Sequence, residues 1–188
     1  MKVPANTIRP GHVIELNNKL WVTQKMQIVS PGKGGAFVQA ELKEIRTGTK
    51  LNEKFRTDET LEKIQVEDFE MQYLYAEGDQ LTFMNQENFE QITVPREIVG
   101  DAAIFLQDNM ICTIQMHETT PLTVTLPKSV VLDIVEADPV VKGQTASSSY
   151  KPAKLSNGAR VMVPPHIGQG DRVVVNTEDG SYIERAKD

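Results

Sequence analysis

The sequence has little of what several large protein classes require. Its only cysteine, Cys112, excludes an internal disulfide framework and a zinc site built from cysteine pairs. No run of about 18 apolar residues is present, so the sequence predicts no transmembrane helix. Residues 1–6 lack the apolar segment of a secretory signal. These absences predict a cytoplasmic protein with an ordinary core and no membrane partner.

Basic side chains are nearly absent from the middle of the chain. Residues 65–127 contain one Lys or Arg, Arg96, against 11 Asp and Glu, a net charge of −10. Residues 1–64 contain 11 Lys and Arg against 7 acidic residues, net +4, and residues 128–188 contain 8 of each sign. The basic first segment is suited to binding phosphates, whereas the acidic segment would be repelled by phosphates and is expected to face solvent or a basic protein. The alternative interpretation is that the distribution of surface charge along the chain varies by chance and has no function.

Short β-strand patterns bounded by Gly, Pro and Asn dominate what is present. A single helix is predicted over Arg96–Gln107, after Pro95, and a polar functional or mobile loop over Val141–Leu155. In the longest predicted strand the apolar residues Leu20, Val22, Met26 and Ile28 all have even numbers, so a regular strand would place them on one side. The predicted strands cover residues 12–16, 20–29, 36–45, 50–56, 69–75, 81–84, 89–94, 110–116, 122–126, 130–135, 160–163, 172–176 and 182–185.

Three blocks of about 60 residues, each with several strands, predict an all-β chain of three small β-barrel domains in series. The predicted domains are 1–64, 65–127 and 128–188, with the one short helix in the middle domain. Each is near the lower size limit for independent folding, so we expect them to lean on one another, at least the first pair. The second and third are candidates for a shared barrel type. One large β-sandwich with a tail is the alternative.

A Gly-rich loop between two strands of about ten residues predicts a β-hairpin with a flexible tip. Pro31 fixes φ before the bend, and Gly32, Gly34 and Gly35 surround a single lysine, Lys33. Strands of this length would hold Lys33 about 30 Å from the hairpin base. That geometry suits a probe in a narrow phosphate-lined cleft, or a lysine offered to a modifying enzyme. A solvated, solubilising lysine is the simplest alternative.

Patterns for catalysis and metal binding are weak. A phosphate-binding P-loop needs Ser or Thr after its lysine and a following helix, but Gly34 follows Lys33 and the next segment is a predicted strand. Cys112 lies in an apolar strand and is predicted to be a buried small hydrophobe. The histidines are far apart and lack metal-ligand spacing: His12, His117 and His166. The sequence therefore predicts no catalytic residue, no metal and no cofactor.

Two further segments contain groups suited to RNA. Tyr73, Tyr75 and Phe83 can form a base-stacking platform or can belong to the core of the acidic block. The segment Lys142–Pro152 offers backbone amides, hydroxyls and cations, which fit either an RNA contact or a plain linker. Composition leaves both pairs of alternatives open.

Many motifs in one order make the chain similar to the bacterial elongation factor P family over essentially its whole length. The tip and the segments that follow it in the first half of the chain carry part of the resemblance, and the third block carries the rest. The motifs are Pro31-Gly32-Lys33-Gly34-Gly35-Ala36, Arg46-Thr47-Gly48-Thr49, Tyr73-Leu74-Tyr75, Phe83-Met84-Asn85, Phe89-Glu90-Gln91, Glu136-Ala137-Asp138-Pro139, Lys142-Gly143-Gln144-Thr145-Ala146, Lys151-Pro152-Ala153, Leu155-Ser156-Asn157-Gly158-Ala159 and Val161–Pro164.

The resemblance implies a KOW/SH3-like first domain and two OB-like domains. It implies a non-enzymatic factor that binds the ribosome between the peptidyl and exit sites and favours peptide-bond formation at stalled proline runs. Lys33 is then the tip residue that reaches toward the acceptor end of peptidyl-tRNA and the site of post-translational extension. In the third domain the matching residues would approach the exit-site codon on the small subunit; these are Gly143, Gln144, Thr145 and Ala146.

The partners implied are ribosomal RNA, ribosomal proteins, peptidyl-tRNA and a lysine-modifying enzyme acting on Lys33, with the protein a monomer. Lysine at the tip excludes the rhamnosylated arginine of some branches and leaves a β-lysyl or an aminopentanol group open. The segment Ser147–Tyr150 is bulkier than the Gly-rich family version. The competing hypotheses are a general OB-type single-stranded RNA-binding module and a small enzyme that uses Lys33 as nucleophile or phosphate ligand.

Overall fold

The computed structural model describes residues 1–139 and 149–187, which form three antiparallel sheets. The first sheet has the order β1-β6-β2-β3-β4-β5. A two-residue turn joins β2 to β3, and both of its residues, Asn17 and Asn18, have positive φ, as a tight hairpin turn requires. The strands are β1 (Lys2–Pro4), β2 (Val13–Leu16), β3 (Lys19–Val29), β4 (Phe37–Glu44), β5 (Lys50–Arg56) and β6 (Thr60–Ile64).

A β-bulge interrupts the alternation of β3. The register with β4 shifts between Thr23 and Lys25, which leaves Gln24 as the extra residue. Trp21 and Thr23 are buried before the bulge, whereas Met26 packs against the core after it. The single apolar parity noted in the sequence therefore does not define one buried face, and Ile28 is exposed.

The second and third sheets share one topology. In each sheet the first strand in chain order is central and pairs with the second and the fourth strands. The second strand pairs in addition with the third, and the fourth pairs with the fifth. This common order confirms the prediction that the two blocks share a barrel type. The second sheet contains β7 (Glu67–Glu77), β8 (Gln80–Asn85), β9 (Gln91–Pro95), β10 (Ile111–His117) and β11 (Thr120–Thr125), and the third contains β12 (Ser129–Ala137), β13 (Lys151–Leu155), β14 (Arg160–Val163), β15 (Arg172–Asn176) and β16 (Tyr182–Arg185).

The prediction of an all-β chain with one short helix in its middle part is confirmed, but the predicted length of the helix is wrong. The α-helix α1 covers only Arg96–Val99, and a 3₁₀ helix follows over Gly100–Phe105. Gly100 has φ 73° and ψ −147°, a conformation that ends an α-helix and that glycine adopts without a steric penalty. Phe105 is still buried because the 3₁₀ turn brings it back to the core.

The predicted loop over Val141–Leu155 is wrong at its C-terminal end. Lys151–Leu155 forms β13, which pairs with both β12 and β14. Ala153 and Leu155 are buried, so burial of alternate residues stabilises a strand in a polar stretch. Strands β1 and β6 also lack a counterpart among the predicted strands.

Hydrophobic packing joins the second and third sheets. One cluster of buried residues runs from Met71 to Val175 through both sheets, whereas the first sheet has a cluster of its own. The Nδ2 of Asn157 donates to the carbonyl of Ile104 at 3.0 Å across this junction. Between the first two sheets, which we expected to support each other, Gln115 Nε2 donates to the carbonyl of Gly11 at 3.4 Å. We propose domain limits at 1–64, 65–127 and 128–188.

Over the part of the chain that the structure describes, no helix has the length and apolar character needed to cross a membrane.

Candidate functional site

Strands β3 and β4 form the hairpin that carries the Gly-rich tip. They pair up to Val29 and Phe37, and the 11 residues of β3 extend for roughly 35 Å. Strand β5 pairs along β4 to the same end, where Arg56 lies opposite Phe37. The hairpin is therefore braced by a third strand over its whole outer half, which fixes the position of the tip more firmly than two strands would.

The tip itself is thin and open to solvent. Residues 30–35 are all exposed, and Gly34 has φ 107°, a conformation that favours glycine. Gly32 and Gly35 have ordinary φ values, and a Cβ at either position would meet no atom within 4 Å. Packing inside this chain does not require glycine at these two positions. Their effect is to leave no side chain beside Lys33.

The Lys33 ammonium is open to solvent. Its side chain is exposed, and its ammonium has no hydrogen bond or ion pair with any of the residues at 1–139 and 149–187. The hairpin does not fold back to bury this cation. A free ammonium on a flexible stem is available for a phosphate, for an RNA acceptor group or for a modifying enzyme.

One side of the first sheet concentrates positive charge. Paired residues of an antiparallel sheet point to the same side, and Val38, Ala40 and Leu42 of β4 are buried on the opposite side. The alternate residues of β4 that point away from this core, together with the residues paired with them on β3 and β5, form an exposed surface. We call this surface the basic face. Its charged side chains are Lys25, Lys43, Lys50, Lys54 and Arg56, together with Glu41.

Two cations of the basic face lie at the tip end of the hairpin. Lys54 Nζ stands 5.1 Å from the ring centroid of Phe37, which orients this ammonium. Arg56 Nε lies 3.9 Å from Asp58 Oδ1, and both side chains are more than 80% exposed. An ion pair this exposed is weak, so Arg56 remains available to a phosphate. The net charge of the segment was visible in the sequence, but its concentration on one face depends on strand register.

The third-domain residues singled out in the sequence, Gly143 to Ala146, lie outside the described residues. The described chain on either side of them is linked, because Lys151 Nζ donates to the carbonyl of Asp138 at 2.7 Å. This bond connects the start of β13 to the residues just after β12.

The aromatic residues proposed as a stacking platform are divided between core and surface. Tyr73 and Phe83 are buried, with ring centroids 5.5 Å apart, and burial raises the pKa of the Tyr73 hydroxyl. Tyr75 is exposed and lies on the other side of a register shift in β7. The three rings therefore do not form one surface on which bases could stack.

The other titratable candidates from the sequence, Cys112 and two of the histidines, are divided between the core and a cleft. Cys112 is buried, as predicted, and burial raises the pKa of its thiol to about 11. His12 and His117, distant in sequence, line one cleft between the first two sheets, and burial beside Lys63 and Arg9 lowers the pKa of His12. Within residues 1–139 and 149–187, no group of three or more His, Cys, Asp or Glu side chains is placed to hold a metal ion.

Comparison with solved structures shows a related fold at low sequence identity. The chain superposes with a TM-score of 0.52 on eukaryotic translation initiation factor 5A from Methanococcus jannaschii, at 16% identity, covering 67% of this chain and 92% of that one. At this identity the likeness supports the arrangement of the strands only.

Comparison with sequences covers the whole chain. Three family models match in order: the elongation factor P KOW-like domain over residues 4–61, the elongation factor P OB domain over 66–124, and the elongation factor P C-terminal domain over 130–185. Proteins named elongation factor P from Rhodospirillum centenum and Gluconacetobacter diazotrophicus are 60% and 55% identical, each covering 100% of both chains. The chain therefore belongs to the elongation factor P family of translation elongation factors.

Proposed function

We propose that this protein binds the ribosome between the peptidyl and exit sites. There it promotes peptide-bond formation at stalled proline runs by positioning peptidyl-tRNA, with Lys33 as the residue that reaches the acceptor end. The observation that carries the proposal is the exposure of Lys33, which pairs with no described residue, at the end of a hairpin braced by β5. Family membership supports a role in translation elongation, and the geometry supports a reaching tip.

Positioning alone can account for an effect on the rate. Peptide-bond formation joins two substrates, and ordering one of them removes an entropic part of the barrier. Such a factor needs no catalytic group of its own. It needs a firm base and a slender end, which correspond here to the three paired strands and to a tip with no side chain beside Lys33. A compact ammonium then supplies charge and hydrogen-bond donors inside an RNA cleft.

The same exposure suits modification of Lys33. A modifying enzyme must surround the ammonium, and Gly32, Gly34 and Gly35 leave open space around the backbone on both sides. We propose that such an enzyme extends Lys33, which increases the reach of the tip without changing the hairpin.

The basic face is suited to RNA phosphates beside the tip. Each lysine or arginine that neutralises a phosphate releases a counterion and strengthens binding in a salt-dependent way. In the third domain we propose that Gly143, Gln144, Thr145 and Ala146 approach the exit-site codon, as in the family.

The proposal is tested with Lys33→Ala in a reconstituted translation assay on an mRNA that encodes a proline run. We expect full-length product to fall to the level without added protein. The unfolding temperature should stay unchanged, because Lys33 is exposed and has no hydrogen bond or ion pair among the residues that the structure describes. Lys154→Ala, an exposed lysine on β13, is the matched control and should retain full rescue. Full rescue by the Lys33 variant would refute the proposed role of the tip.

A general single-stranded RNA-binding module is the competing function, and the basic face is the observation that favours it. It predicts salt-sensitive binding to free RNA in the absence of ribosomes. We expect binding to ribosomes and none to free single-stranded RNA at moderate salt, measured by fluorescence anisotropy. Tight binding to free RNA with no binding to ribosomes would favour the module instead.

A further inference from the structure

The turn between β8 and β9 holds an aromatic side chain away from the core. Phe89 is 69% exposed, more than any other large hydrophobic residue among those described. Its φ is 61°, a conformation that is unfavourable for a bulky side chain. Across the described ranges, the other non-glycine residues with positive φ are three asparagines and a glutamate.

Hydrogen bonds inside the turn fix this conformation. The buried Asn85 accepts from two backbone amides through its Oδ1, from Glu87 at 2.8 Å and from Asn88 at 3.4 Å. The Phe89 amide donates to the Asn85 carbonyl at 3.0 Å, and the Asn85 amide donates to the Glu90 carbonyl at 2.8 Å. The turn therefore has little freedom to place the Phe89 ring elsewhere. We call residues 85–90 the Phe89 turn.

The charges around the Phe89 turn are of one sign. Glu87 and Glu90 are exposed within it, and the neighbouring strand brings exposed Glu70, whose carbonyl accepts from the Gln86 amide at 3.2 Å. No Lys or Arg occurs between residues 65 and 95. A turn that exposes an apolar ring and carboxylates, with no cation nearby in the sequence, repels RNA phosphates and attracts lysine and arginine side chains.

We propose that Phe89 is the apolar anchor of a docking surface for a basic ribosomal protein, whose Lys or Arg residues pair with Glu70, Glu87 and Glu90. The inference rests on the proposed ribosome binding. The ribosome offers two kinds of surface, phosphate and protein, and the charge of this turn fits only the second. A rigid, exposed aromatic side chain with charged residues in the same turn can concentrate binding energy in one residue.

Tyr75 provides the internal comparison on the same sheet. It is 50% exposed, but it lies within the β7–β8 ladder rather than on a turn held by its own hydrogen bonds. Exposure of an aromatic ring in this domain therefore does not by itself indicate a docking residue. Phe89 is distinguished by the combination of exposure, an unfavourable backbone conformation and a turn that maintains this conformation.

Phe89→Gly separates binding from folding. Glycine adopts φ 61° easily, so this change removes the ring and relieves the backbone at once. We expect the unfolding temperature to stay equal or rise, while the Kd for 70S ribosomes increases about tenfold or more. Tyr75→Ser is the matched control and should leave the Kd unchanged. The double charge reversal Glu87→Lys and Glu90→Lys should also weaken ribosome binding.

Photo-cross-linking shows whether Phe89 contacts a ribosomal protein or ribosomal RNA. With Phe89 replaced by benzoylphenylalanine in the full chain, we expect cross-links to a ribosomal protein of basic composition. Cross-links confined to ribosomal RNA, or an unchanged Kd for the Phe89→Gly variant, would overturn the docking surface while leaving the proposed function intact. Failure of the wild-type protein to bind ribosomes would overturn both.

Discussion

The Lys33 tip and the Phe89 turn both connect neighbouring antiparallel strands and both expose one side chain, but they are built in opposite ways. The tip has no internal support from side chains, and its position depends on the paired strands beneath it. The Phe89 turn is held by the side chain of its own Asn85. One carries a cation on a basic sheet, and the other carries an apolar ring among carboxylates. Removing the Asn85 side chain should therefore cost more stability than substitutions within the tip.

Asn85→Ala should have the largest effect on stability. It leaves two backbone amides of the turn without their part-buried acceptor, which we expect to cost about 1–3 kcal/mol of unfolding free energy. Urea denaturation followed by circular dichroism measures the loss. Gln86→Ala, at an exposed neighbour, is the control and should change stability by no more than about 0.5 kcal/mol. Equal stability of both variants would contradict the account of the turn.

Neutralising the basic face should weaken ribosome binding without unfolding the protein. The double variant Lys54→Gln and Arg56→Gln removes two exposed cations at the tip end of the hairpin. We expect the slope of log K against log salt to become shallower by about 1–2 units, because fewer counterions are released. Titrations at several salt concentrations measure this slope. An unchanged slope would show that these cations do not contact phosphates.

The smallest effects are expected within the tip. Gly34→Ala should cost about 1 kcal/mol, because φ 107° is unfavourable for alanine. Gly32→Ala should leave the unfolding free energy unchanged within about 0.5 kcal/mol, since its Cβ meets open space. Thermal unfolding of the two variants side by side tests the difference. A larger loss at Gly32 than at Gly34 would contradict the conformation of the tip.

Sequence patterns were sufficient for the features that depend on local chemistry. Alternating apolar residues located most of the strands, and the glycines around Lys33 predicted an exposed tip, as the structure shows. The burial of Cys112 followed from its apolar strand.

Features that depend on register or on backbone conformation were not accessible in the same way. The bulge at Gln24 changes which residues face the core, and the basic face exists only because β5 pairs with β4 in one register. The helix predicted to reach Gln107 ends early because of a dihedral angle at Gly100 that helical periodicity does not reveal. Strand β13 exposes Pro152 and Lys154 and is held in the sheet by pairing with a strand on each side.

The most direct test of the central claim maps where the tip lies on the ribosome. Gly32→Cys places a thiol in open space and keeps Lys33, while the buried Cys112, with a pKa of about 11, should remain unlabelled. An iron chelate on residue 32 should generate hydroxyl-radical cleavage at the acceptor end of peptidyl-tRNA, and the same chelate on an Asn88→Cys variant should not. Cleavage that spares peptidyl-tRNA when the label is beside Lys33 would contradict the account.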